Sequence, residues 1–386
     1  MPDRVLRAID APTIDHRGPD FARLGLEILE GLGHVFRTGN PVVVYPASGT
    51  GAWEAAIVNT LSPGDRVLAF ETGHFATLWR AMAERLGLEV VWVEGDWRRG
   101  ADPERADQAL REDPSIRAVM VVHNETSTGV TSRVPDVRAA IDAAGSDALL
   151  LVDTISSLGS IDYRHDEWGV DVTVGGSQKG LMLPAGLSFN AVSDKALAAG
   201  GMPRSYWDWD PIIEANKSGF WPYTSATNLF YGLREALAML REEGLEHVFA
   251  RHARHAAATR AAVEGWGLEV LCADPREFSG SLTAVLVPDG VDADEIRRVI
   301  LERFDMSLGA GLGKLAGKVF RIGHLGDFND LMLAGTLCGV EMGLRIAGVS
   351  LAGSGVEAAL EHLERAPDVD GEDARRVKQA AAEPAT

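Results

Sequence analysis

The chain has 386 residues, 46% apolar and 24% charged, the composition of a globular protein too large for one compact core. Its 56 acidic and 37 basic side chains give a net charge of −19, which argues against nucleic acid or an anionic membrane as partner. The 2 cysteines, Cys272 and Cys338, supply neither a disulfide framework nor a thiolate zinc cluster, and they suit a reducing cytoplasm. The start, Met1-Pro2-Asp3-Arg4, lacks the apolar run of a secretory leader. From residue 20 to 190, helical and strand patterns alternate. A helix is predicted over 21–36, a strand over 41–45 and a helix over 51–61, stopped by Ser62-Pro63-Gly64-Asp65. Strands at 66–70, 89–93 and 118–122 follow, separated by helices at 77–86 and 103–112. After a helix at 134–144 come strands at 148–152, 171–174 and 186–190. All-apolar strands alternating with helices predict an α/β fold, a mostly parallel sheet covered on both faces. Residues 225–265 are long helices by pattern. Strands at 268–271, 283–287 and 319–322 with helices at 293–304 and 327–347 then mark a smaller α+β unit. We therefore expect a large domain over 1–243, a small one over 244–365, and a frayed or disordered tail over 366–386. The apolar stretch 331–349 contains Glu341 and Arg345 and puts Leu333, Leu337, Val340 and Leu344 on one face. That is an amphipathic helix, not a membrane span.

In open α/β sheets, ligands sit at the carboxyl ends of the strands. Lys179 stands there, in Gly175-Gly176-Ser177-Gln178-Lys179-Gly180, just past a short apolar strand. Its small and apolar surroundings suit a confined amine with a lowered pKa, a nucleophile and Schiff-base former. Asp153 closes another apolar strand, where a carboxylate needs a partner such as a protonated ring nitrogen. Ser48-Gly49-Thr50-Gly51 opens a helix with hydroxyls and N–H groups suited to a phosphate. The Gly49-x-Gly51 spacing with Glu71 about 20 residues on also fits a dinucleotide fingerprint, but Glu54 occupies the third glycine position. Phe75 in Glu71-Thr72-Gly73-His74-Phe75 could stack on a planar ring. His123, in His123-Asn124-Glu125-Thr126-Ser127-Thr128-Gly129, has no second ligand at metal spacing, so no metal is expected. A lysine, an acid, an aromatic ring and a phosphate cradle at one sheet edge are the parts a pyridoxal phosphate enzyme needs.

With Ser156-Ser157-Leu158-Gly159 after Asp153, and Arg321-Ile322-Gly323-His324-Leu325-Gly326, these motifs are similar to those of the class V, fold-type I aminotransferases. The resemblance is to the serine–glyoxylate and alanine–glyoxylate group and runs from Arg4 to about Gly355. It implies a mostly parallel seven-stranded sheet in the large domain, pyridoxal 5'-phosphate as cofactor, and transamination between a small L-amino acid, preferably L-serine, and glyoxylate. By the same resemblance Lys179 joins the cofactor aldehyde and shuttles the proton, Asp153 pairs with the ring nitrogen, and Phe75 stacks on the ring. Thr126, Thr128 and Ile155 also contact the cofactor, while Ser48, Gly49, Thr50 and Gln178 hold its phosphate. Trp221, Tyr223 and Thr224 match a segment that reaches the phosphate from the other subunit, which implies a homodimer with a shared site. Arg321 clamps the substrate carboxylate, with His16 and Arg17 also at the substrate. The segments Asp15-His16-Arg17 and Leu181-Met182-Leu183-Pro184 resemble the serine–glyoxylate branch, and relatives using alanine or aspartate look similar here. The family carries a Pro-Gly-Pro-Thr-Asn-like segment ahead of the match to Pro2-Asp3-Arg4. That segment helps close the substrate site in the family, and this sequence starts after it, so the expectation is either an altered substrate affinity or a start assigned too late. A cysteine desulfurase would want a cysteine on a mobile active-site loop, which neither Cys272 nor Cys338 occupies.

Overall fold

The computed structural model describes residues 1–365; the tail expected over 366–386 lies outside them. Strands β1 (Val42–Tyr45), β2 (Arg66–Phe70), β3 (Glu89–Val93) and β4 (Ile116–Val122) alternate with helices. The two-residue β5 (Asn124–Glu125) and β6 (Val130–Thr131) pair with each other, and β7 (Leu149–Asp153), β8 (Val172–Gly176) and β9 (Ser188–Val192) follow. Seven of these strands form one sheet in the order β1-β9-β8-β7-β4-β2-β3. Neighbours pair parallel except around β9, which runs antiparallel to both β1 and β8. β1, β7, β8 and β9 are buried along their whole length, as helices on both faces require. The helix Gly49–Thr60 follows β1 and buries Ala52, Trp53, Ala55, Ala56, Ile57 and Val58, so it has no wide polar face and sits inside the protein.

The last sheet strand differs from its expected bounds by two residues. Gly186 and Leu187 were expected in it, but Gly186 has φ +139 and Leu187 pairs with Ser177 through Ser177 N–H to its carbonyl at 3.0 Å. That pairing closes the loop that carries Lys179.

The second sheet, order β10-β11-β13-β12, comprises β10 (Glu269–Val270), β11 (Leu282–Leu286), β12 (Gly309–Ala310) and β13 (Val319–Gly323), all antiparallel. The helix Asp330–Ile346 buries Leu333, Leu337, Val340 and Leu344 against it, and Asn329 caps its start by accepting the Met332 N–H at 2.9 Å. The long helices expected over 225–265 are Thr227–Glu243 and Leu245–Gly265, separated at Gly244 with φ +83. No described helix is long and apolar enough to cross a membrane.

Candidate active site

The turn after β8 holds Lys179 by backbone geometry. Met182 N–H donates to the Lys179 carbonyl at 2.9 Å, and Leu183 N–H to the Ser177 carbonyl at 3.2 Å. The Ser177 hydroxyl donates to the Pro184 carbonyl at 2.7 Å and accepts the Leu187 N–H at 3.2 Å. Only glycine fits at position 180, where a Cβ would lie 2.2 Å from the Leu158 carbonyl oxygen. Met182 adopts a left-handed φ of +60, a strained conformation that the closed loop enforces. The Lys179 side chain is half-buried. Burial, then the positive charge of Arg321, pull its amine below the ordinary lysine value, and the Asp153 carboxylate opposes them.

Asp153, at the carboxyl end of β7, is 4% exposed. Its Oδ1 accepts the Ile155 N–H at 2.7 Å and its Oδ2 the Trp53 indole N–H at 3.0 Å. Burial nonetheless pushes the carboxyl up to about 7; the charge of Glu125 adds to the rise, while both hydrogen bonds and Lys179 oppose it.

At the end of β1, Ser48 precedes the helix Gly49–Thr60, and no side chain caps that helix. The Gly51 N–H donates to the Ser48 carbonyl at 2.9 Å, and the N–H groups of Gly49 and Thr50 stand beside two exposed hydroxyls, Ser48 and Thr50, an arrangement that favours an anion. Ile155 packs so closely on Gly49 that a Cβ there would meet its Cδ1 at 2.2 Å. The Gln178 Oε1 is buried with no hydrogen-bond partner.

Glu125 organises the opposite wall. Its buried carboxylate accepts the N–H groups of Phe75 (3.3 Å), Ala76 (3.1 Å) and Ser127 (3.0 Å), and the Ser127 hydroxyl at 2.7 Å. One side chain thus fixes both the start of the helix His74–Arg85, which carries Phe75, and the turn that carries Thr126. Arg321, on β13, donates Nη1 to the Thr126 carbonyl at 2.6 Å and Nε to the Ala310 carbonyl at 2.8 Å. Its Nη2 bonds no described residue. Thr128 is fully buried, its hydroxyl on the carbonyls of Thr72 and Glu125 at 3.4 Å each.

Lys179, Met182, Leu325, Phe328 and Arg4 line a cavity of about 750 Å³. His16 and Arg17 line a different one, of about 280 Å³, with Trp221 and Tyr223. Trp221 and Tyr223 both donate to the Val44 carbonyl of their own chain, at 3.1 and 2.8 Å, while Thr224 is exposed.

Residues 16–314 match the family Aminotransferase class-V. This chain belongs to the class-V aminotransferases. It is 51% identical to the serine–glyoxylate aminotransferase of Methylorubrum extorquens, over 95% of this chain and 94% of that one. It is 46% identical to the L-aspartate–glyoxylate aminotransferase of Paracoccus denitrificans, over 94% and 93% of the two chains. Among solved structures, pyridoxamine–pyruvate aminotransferase from Mesorhizobium loti superposes with a TM-score of 0.88 at 30% identity, covering 94% of each chain. The expected class and fold are met.

The dinucleotide alternative gives way to this class. Glu71 is engaged with Lys314, with the Trp97 indole N–H at 3.1 Å and with the Gly95 N–H at 3.3 Å. Within one chain, Lys179, Asp153 and Arg321 interact, with Ile155 and Gly49 beside Asp153. His16, Arg17, Trp221 and Tyr223 gather elsewhere. Two residues that brace the candidate site were missed from sequence. Glu125 stood in the quoted motif without a role, and Trp53 lay inside the predicted helix 51–61 without being singled out.

Proposed function

We propose that this chain is a pyridoxal-phosphate aminotransferase moving the amino group of L-serine to glyoxylate, leaving hydroxypyruvate and glycine, in a homodimer whose sites span both subunits. The observation that carries it is the half-buried Lys179 held in the closed turn after β8, at the same sheet edge as the buried Asp153 that ends β7. The residues fit the cofactor. Ser48, Thr50 and the uncapped helix suit its phosphate, and Asp153 retains lone pairs for a ring N–H.

Bound there, pyridoxal phosphate supplies an aldehyde that captures the donor's amino group and a ring that draws electrons from the Cα–H bond. Arg321 receives the donor carboxylate with its remaining terminal nitrogen, which orients Cα. Lys179 Nζ, depressed by its surroundings, takes the α-proton as a neutral base and later returns it. Phe75 supports the ring face and Asp153 holds the ring nitrogen.

Homodimer assembly is supported by the separate grouping of His16 and Arg17 with Trp221 and Tyr223, and by exposed Thr224, which suit completion of a neighbour's site. The separate apolar core of the second sheet and the break at Gly244 support large and small domains over 1–243 and 244–365. An aspartate donor is the second choice, favoured by the 46% identical Paracoccus relative. Adding serine, alanine, aspartate or glycine to the loaded enzyme and following loss of its long-wavelength absorbance ranks the donors. No response to any of them would refute the proposal.

A further inference from the structure

We propose that Trp53 is a positioning residue for the cofactor, its indole N–H fixing the Asp153 carboxylate that meets the ring nitrogen; this rests on the function proposed above. Asp153 has two donors of different origin. The Ile155 N–H comes from its own turn, whereas Trp53 belongs to the helix Gly49–Thr60, whose N-terminus faces the phosphate. Trp53 lies four residues beyond Gly49, one helical turn or about 6 Å along the axis. A single rigid helix therefore sets both ends of the ligand, the phosphate through its first turn and the ring nitrogen through Trp53 and Asp153.

The indole itself cannot drift. It is 3% exposed and stacks on Trp79 with centroids 5.8 Å apart and planes 14° from parallel. Its bond also bears on charge. Burial and Glu125 favour a protonated Asp153, and the Trp53 N–H, the Ile155 N–H and Lys179 favour the carboxylate that a ring N–H⁺ requires.

Trp53→Phe keeps an aromatic ring beside Trp79 and removes the N–H. Titration of cofactor-free protein with pyridoxal phosphate should show affinity lower by roughly 10- to 100-fold, the worth of a hydrogen bond to a charged group. The donor KM should stay unchanged. Because the effect passes through Asp153, adding Trp53→Phe to Asp153→Asn should change affinity by less than about twofold, where independent losses would multiply. Trp79→Phe, which loosens the stack and leaves the bond, should stay within about twofold of the parent. Trp53→Met, also without an N–H, stands in if Trp53→Phe loses its fold. Multiplying losses, or an unchanged affinity in Trp53→Phe, would overturn the inference. Failure of the parent protein to take up pyridoxal phosphate would instead overturn the function on which it rests.

Discussion

At Asp153, a carboxyl that titrates near 7 when folded and near 3.8 when unfolded stays protonated in the native state while the denatured chain has already released its proton. Its contribution to stability is therefore whole below about 4, falls as pH rises, and is gone above about 7. Urea unfolding of cofactor-free protein should show Asp153→Asn gaining a few kcal/mol on the parent across that window, at about 1.4 kcal/mol per pH unit. Lys179→Ala should abolish turnover and leave no borohydride-reducible chromophore after loading. Arg321→Lys cannot serve Thr126, Ala310 and a substrate carboxylate at once, so the donor KM should rise roughly 10-fold or more with cofactor affinity intact. Lys179 and Asp153 were legible because each is a charge at or beside an apolar strand, where only chemistry or pairing justifies it, whereas Arg321 was reached only through the family resemblance. Trp53 and Glu125 were not. An indole in an apolar helix looks like packing, and only the fold brings its N–H to a carboxylate 100 residues away in sequence.

The loop Leu325-Gly326-Asp327-Phe328 walls the Lys179 cavity, and the helix Leu245–Gly265 pins it. Arg251 Nη1 donates to the carbonyls of Gly326 and Phe328, both at 2.9 Å, while its Nε and Nη2 grip Glu243 at 2.6 and 2.8 Å. The His252 Nε2 accepts the Gly326 N–H at 2.9 Å, so Gly326 is held by both its polar groups. Arg251→Met should lower stability by about 1–3 kcal/mol in chemical denaturation, because two carbonyls and a carboxylate lose their donor. It should also raise the donor KM, measured by steady-state kinetics. Apolar periodicity located nearly every long element, but it could not see this clamp, which is made of backbone carbonyls. Short elements escaped it too: the helix Asp3–Ile9 and the two-residue β12 carry too few side chains to show a period.

For the whole molecule, the proposed sharing of sites between subunits can be tested by complementation. Lys179→Ala is inactive for want of its amine, and Thr224→Asp should be inactive because it sets a charge against the neighbour's phosphate. Random mixing puts half the chains into hybrids with one intact site each, so activity should return to roughly a quarter of the parent's. Sites built within one chain would stay silent. Expectations about compartment and substrate came only from composition and resemblance, since neither is a property of chain pattern. Trp221 and Tyr223 both rest on the carbonyl of Val44, in the outermost strand of the large sheet. That shared acceptor shields a strand rim whose unpaired backbone groups would otherwise be open to stray chains. In the proposed homodimer it would also stiffen, before any encounter, the segment that reaches the neighbour. Docking then needs little disorder-to-order conversion, so two copies can meet as finished surfaces.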